Sequence, residues 1–115
     1  MSAAALLLAL TTLAQPPAPS PTPSPGANVV KGKDVYLRYG CWACHGYAGH
    51  GGGGPRLVPA RLSLGAFSAF VRNPPTMPPY TAKVLSDAQL ADVFAYLKTL
   101  PESPPAKDIP LLNER

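Results

Sequence analysis

Cys41 and Cys44 are the two cysteines of this 115-residue chain, and His45 follows the second directly, so that CWACH gathers two thiols and an imidazole within five residues. Thiols at that spacing could act as a redox dithiol, supply half of a zinc site, close a structural disulfide, or add across the vinyl groups of a haem. Each chemistry makes a different demand on the rest of the chain. A structural zinc ion takes four Cys or His ligands; beyond the motif the chain offers one further histidine, His50, set in a glycine run without a second ligand pair at finger spacing. A thioredoxin-like dithiol works from a helix N-terminus in a strand-helix-strand setting, whereas these cysteines follow a helical pattern and no strand pattern is visible. A disulfide across two intervening residues is strained and would add nothing to a small core.

The remaining chemistry is c-type haem attachment, for which C-x-x-C-H is the signature. Cys41 and Cys44 would form the two thioethers, and His45 would be carried to the iron as an axial ligand. The iron then needs a sixth ligand from elsewhere. His50 lies only five residues from His45 and could hardly reach the opposite iron face, so it is expected on the surface. Met77 is the only methionine besides Met1, in NPPTMPPY, Asn73 to Tyr80. A lone methionine is often core filler, but four prolines around this one stiffen a loop that could present a thioether at a fixed point. Histidine and methionine together raise the reduction potential, and a filled sixth position favours electron transfer over oxygen chemistry.

The elements that must position these groups read as all-α. KGKDVYLRYG, Lys31 to Gly40, predicts a short helix with Val35, Tyr36 and Tyr39 on one face and Gly40 as its left-handed end. SLGAFSAFVRN predicts a second, capped by Ser63, with Leu64, Phe67, Phe70 and Val71 as its apolar face and Pro74 and Pro75 as its stop. SDAQLADVFAYLKTLP carries the clearest signal: Ser86 and Gln89 match a capping box, Leu90, Val93, Phe94, Leu97 and Leu100 share a face, and Pro101 ends it. The loops between them, GYAGHGGGGPRLVPARL and PPTMPPYTAKVL, are long for so small a domain, which points to function. Three short helices with few large aliphatic residues make a thin core; a bound group is expected to fill it.

Outside this domain, placed at 29–101, the chain changes character. Residues 1–14, MSAAALLLALTTLA, are apolar and uncharged but too short for the ~20 residues of a membrane-spanning helix. They fit a signal peptide cut after Ala14, although the basic start of such peptides is missing; an uncleaved segment would leave the chain weakly membrane-associated. Residues 15–28 alternate proline with small residues and read as a semi-rigid linker, and 102–115 as a C-terminal tail with prolines of its own. The formal charge is +4, and between Asp34 and Asp87 five basic residues, Arg38, Arg56, Arg61, Arg72 and Lys83, stand without an acidic one. They are too dispersed for nucleic acid, and are read as a field for an acidic protein partner or an anionic cofactor.

With CxxCH near the start of the domain, a lone methionine in a proline-rich loop and an amphipathic C-terminal helix, residues from about Val29 to Pro101 resemble monohaem class I cytochrome c. The resemblance implies a small fold of about three helices around one covalently bound haem c. It further implies that Gly32 and Tyr36 on the N-terminal helix cross the last helix near Val93, Tyr96 and Leu97. In GPRL, Gly54 to Leu57, it implies that the Pro55 carbonyl accepts a hydrogen bond from His45. Arg56, Arg61 and Tyr80 become candidates for the haem propionates. The glycine run 49–54 is richer than usual for the family, and Trp42 is large for its position; it could pack beside the porphyrin, serve docking or lie partly exposed.

The expected function is that of an exported, periplasmic, monomeric one-electron carrier, cycling between Fe(II) and Fe(III) and docking on acidic patches of redox partners, rather than an enzyme. The alternative is a haem subunit or tethered acceptor module of one dedicated dehydrogenase complex, favoured by the linker and tail. A third reading, a haem that binds small ligands or reduces peroxide, requires Met77 to be off the iron.

Overall fold

The computed structural model describes residues 26–114, so the signal-peptide reading and most of the linker reading fall outside the described residues. The first helix, α1, spans Val29–Arg38, two residues earlier than the periodicity predicts, because Asn28 caps it: the Asn28 side chain accepts from the Lys31 amide at 2.9 Å. The Asn28 amide in turn donates to Asp92 Oδ1 at 2.6 Å, tying the start of α1 to the last long helix. Arg38 sits in the final turn, and Gly40, at φ 73°, adopts the left-handed conformation that lets the chain turn directly into CWACH.

CWACH itself is helical. This turn, α2, covers Cys41–His45 and was not anticipated from the sequence, where the cysteines were placed after a helix rather than on one. The third helix, α3, spans Leu64–Arg72 with Ser63 accepting from the Ala66 amide at 3.1 Å, and α4 spans Asp87–Thr99 behind the expected capping box. There the Ser86 hydroxyl accepts from the Gln89 amide at 3.2 Å, and the Gln89 side chain accepts from the Ser86 amide at 2.9 Å. The tail is more ordered in form than a plain extension: a 3-10 turn at Ala106–Asp108 leads into a short helix, α5, at Pro110–Asn113. The described residues contain no strand.

The helices converge where α1 crosses α4. Val35 and Tyr36 from α1 meet Leu90, Val93, Tyr96 and Leu97 from α4, all buried, with the Tyr36 and Tyr96 rings 5.7 Å apart. The crossing is close enough that a Cβ on Gly32 would collide with the Asp92 carbonyl oxygen and come within 2.9 Å of the Tyr96 Cβ. Phe67 of α3 leans on Phe94 of α4 at 5.5 Å, and Val58, Val71 and Leu85 close the core.

The glycine-rich loop is fastened onto α2 by its backbone. Gly51 and Gly54 donate to the carbonyls of His45 and Cys44 at 2.9 and 2.7 Å, and Leu57 and Val58 both donate to Gly49 O. Two of the five basic residues in the acid-free segment have acidic neighbours: Arg38 pairs with Asp34, one turn earlier on α1, at 2.8 Å, and Arg72 with Asp87, at the start of α4, at 2.6 Å. Arg56, Arg61 and Lys83 make no ion pair among the described residues.

Candidate haem site

Helical spacing explains why CWACH can act as one unit. Residues at i, i+3 and i+4 share a helix face, so α2 puts Cys41, Cys44 and His45 on the same side, with Trp42 and Ala43 turned elsewhere. Cys41 is half-buried and its thiol is pushed above the ordinary range, chiefly by burial. A redox dithiol needs the opposite, a thiol lowered into the thiolate range. Cys44 is exposed.

The His45 ring is held by its Nδ1, which stands 2.7 Å from the Pro55 carbonyl oxygen. A carbonyl only accepts, so Nδ1 carries the proton and Nε2 keeps its lone pair for a metal. Such a bond fixes the ring's orientation and raises its basicity. Gly54, just before Pro55, is what lets the loop come this close: a Cβ there would lie 2.9 Å from His45 Cε1 and 3.3 Å from Cys44 Cβ. Gly54→Ala is therefore expected to displace the ring and cost about 1–3 kcal/mol, read as a lowered denaturation midpoint together with a shifted reduction potential.

His45 and Cys41 open onto a cleft of about 840 Å³, part of it open to solvent, that runs between α1, α3, α4 and the two long loops. Pro55, Arg56, Met77 and Tyr80 also line it, so the structure brings together six of the eight residues singled out from the sequence. Cys44 is not among the lining residues but sits one residue from His45 on α2. Arg61 is set apart, in an adjoining cleft that it shares with Arg56, Leu57 and Phe67. Of the candidate propionate contacts, Tyr80 has its hydroxyl engaged already, donating to the Tyr39 carbonyl at 2.9 Å. The rest of the wall is apolar: Phe67, Val71, Leu85, Leu90, Val93 and Leu97 leave a gap in the core that no described side chain fills.

Sequence reading missed the contribution of Leu85, named Gly54 only as part of GPRL and the glycine run, and left the roles of His50 and Trp42 open. His50, expected on the surface, is half-buried and points away from the cleft, with Nε2 2.8 Å from the Pro101 carbonyl at the end of α4. Trp42 does not line the cleft. It donates from Nε1 to Leu37 O at 3.1 Å and stacks on Tyr47, ring centres 4.6 Å apart and 12° from parallel.

Tyr36 supports the site from behind. It is wholly buried, and its hydroxyl donates to the carbonyl of Gly46, the residue after His45, at 2.7 Å. Burial above all, with smaller effects from Cys41 and Tyr96, pushes its pKa from 10.0 to about 12. The unfolded chain thus releases this proton near pH 10 while the folded one keeps it, so the stability tied to the neutral phenol is complete below pH 10 and lost as the pH rises to about 12. Tyr36→Phe is expected to cost about 1 kcal/mol at neutral pH through the lost hydrogen bond and to flatten the alkaline limb of a stability-against-pH curve.

Residues 27–97 match the family described as cytochrome c oxidase, cbb3-type, subunit III. The chain belongs to this family of cytochromes c. Its cofactor is a covalently bound haem c, and the apolar gap, the three α2 side chains on one face and the free Nε2 of His45 fit that group. Over 84 residues the cytochrome is 32% identical to the cytochrome bc1 complex cytochrome c subunit of Corynebacterium diphtheriae. That similarity covers 68% of this chain but 29% of the relative, so the chain spans less than a third of the relative's length. No solved structure matches the cytochrome. No described helix is long and apolar enough to cross a membrane.

Proposed function

We propose that this cytochrome is an exported one-electron carrier whose iron is held by His45 Nε2 on one side and the Met77 thioether on the other. The observation that carries this reading is that His45 and Met77, 32 residues apart in the chain, line one apolar cleft. When bound, the haem supplies the Fe(II)/Fe(III) couple. Cys41 and Cys44 fasten it to α2, the Pro55 carbonyl holds the proximal ring, and the apolar wall excludes water, which favours the less charged reduced state. Arg56, which lines the cleft, would pair with a propionate there. Arg61 and Lys83, exposed and without an acidic neighbour among the described residues, would help to steer an acidic partner toward the same side.

The test is a visible spectrum of the exported protein in both oxidation states. A methionine-iron charge-transfer band in the oxidised form, with slow carbon monoxide binding in the reduced form, is the expected result. A haem that takes up carbon monoxide readily and lacks the band would instead establish the ligand-binding reading.

A second setting is favoured by one observation, the similarity to the cytochrome c subunit of a bc1 complex, of which the match covers 29%. In this setting the same iron site serves as a tethered electron-acceptor module, with a bc1-type complex a better model than the dehydrogenase expected from the linker and tail alone. Gentle extraction distinguishes the two: a stably co-purifying complex supports the module, and recovery as a free monomer supports the mobile carrier.

A further inference from the structure

The loop that carries Met77 is stiffened by its prolines but has few means of anchoring itself to the rest of the fold. Between α3 and Tyr80 it reads NPPTMPP, and the four prolines have no amide hydrogen to donate. Asn73 donates back to Ala69 at 3.1 Å, which caps α3; residues 74–79 donate no backbone hydrogen bond to another backbone group. Met77 packs against the core, and the backbone hydrogen bonds that anchor its loop lie where the loop closes. There Tyr80 is gripped on both sides of its backbone, its amide donating to Val71 O at 3.1 Å and its carbonyl accepting from Arg72 Nη1 at 2.7 Å. Arg72 Nη2 reaches Asp87 Oδ1 at 2.6 Å in the first turn of α4. One guanidinium thus joins the end of α3, the returning end of the loop and the start of α4.

We propose that Arg72 is a positioning residue for the sixth iron ligand: by clamping the base of the 73–79 loop it keeps the Met77 thioether at the cleft. This rests on the His45 and Met77 reading given above. The Arg72 side chain is 19% exposed, so its bonds are shielded from water and salt more than a surface pair would be, although Asp87 at 87% is open to solvent. Two acceptors lying in different directions suit the planar fork of arginine and not the point charge of lysine. The packing of α3 on α4 through Phe67 and Phe94 does not involve Arg72, so loss of the clamp should free the loop and leave the helices in place.

The experiment compares holo wild type with Arg72→Met, which keeps the aliphatic stem, with Arg72→Lys, and with Met77→Ala. The readouts are the methionine-iron charge-transfer band, the rate of carbon monoxide binding to the reduced protein, and far-ultraviolet circular dichroism. Arg72→Met is expected to weaken or abolish the band and to speed carbon monoxide binding by about tenfold or more, the factor that follows from losing a charged hydrogen bond, with unchanged helix content. Arg72→Lys should fall between it and wild type. If Arg72→Met does not fold, a Lys variant with wild-type band and binding rate overturns the proposal, and an intermediate one supports it. Wild-type behaviour in both Arg72 variants while Met77→Ala loses the band would sink the clamp and leave the ligand assignment standing. A wild type without the band, unaffected by Met77→Ala, would remove the ligand assignment and the clamp with it.

Discussion

Met77→Ala is expected to lower the reduction potential by a tenth or more of the ~0.8 V range that axial ligands span, and to let carbon monoxide bind the reduced protein. The physical reason lies in the cleft. Among its lining residues, Met77 is the one side chain apart from His45 and Cys41 with a soft donor atom suited to iron. Tyr80 also lines the cleft, but its hydroxyl is committed to the Tyr39 carbonyl, and the His50 ring is committed to Pro101 at the far end of α4. With the thioether gone, no other described side chain in the cleft is free to take its place, so the sixth position passes to water or an added ligand. A potentiometric titration with and without the substitution checks this; an unchanged midpoint would show that the thioether is not on the iron.

Gly32→Ala is expected to destabilise the folded protein by about 2–3 kcal/mol, and Gly32→Val to prevent folding. Two effects compete at this position. Helix propensity favours alanine over glycine by about 1 kcal/mol, so an isolated α1 would gain from the change. The crossing with α4 works against it. The new Cβ would meet the Asp92 carbonyl oxygen, which is helix backbone and cannot swing aside, and the Tyr96 Cβ, which is fixed to the same backbone. The two helices must move apart along the face that buries Tyr36, Val93, Tyr96 and Leu97, and overpacking of that kind costs ~1–3 kcal/mol or more. The same displacement would also strain the Asn28 bond to Asp92. Against a total stability of about 5–15 kcal/mol for such a domain, packing should outweigh propensity. Urea denaturation at constant pH decides it: a midpoint above wild type would mean that propensity wins and that the crossing is looser than it looks.

Local pattern was enough for α3 and α4, because caps, apolar periodicity and terminating prolines all act within a few residues. Ser63 and Ser86 cap where their sequence context predicts, and Pro74 and Pro101 lie beyond the ends of their helices. The start of α1 was less legible, since Asn28 acts as its cap while its own amide is held by Asp92, 64 residues away. The helical form of CWACH had no local signal: five residues are too few to show a period, and the turn is stabilised by glycine amides that fold back from 51 and 54 onto its last carbonyls.

The nature of the cofactor was legible in the sequence, because CWACH admits haem attachment and the rest of the chain offers neither further zinc ligands nor a dithiol scaffold, demands of residue type and spacing that need no distant contact. The cleft could not be read in the same way. Which apolar residues face the gap, which of the basic residues are already paired, and which way the His50 and Trp42 rings turn depend on elements far apart in the chain meeting at set angles. Arg38 pairs with Asp34 one turn away on its own helix. Arg56, Arg61, Arg72 and Lys83 look equivalent in sequence, yet Arg72 is held by Asp87 of α4 and only Arg56 lines the cleft. A charge acts on whatever stands within a few ångströms of it, and that neighbourhood is set by the crossing of α1 on α4 and the return of the loop at Tyr80.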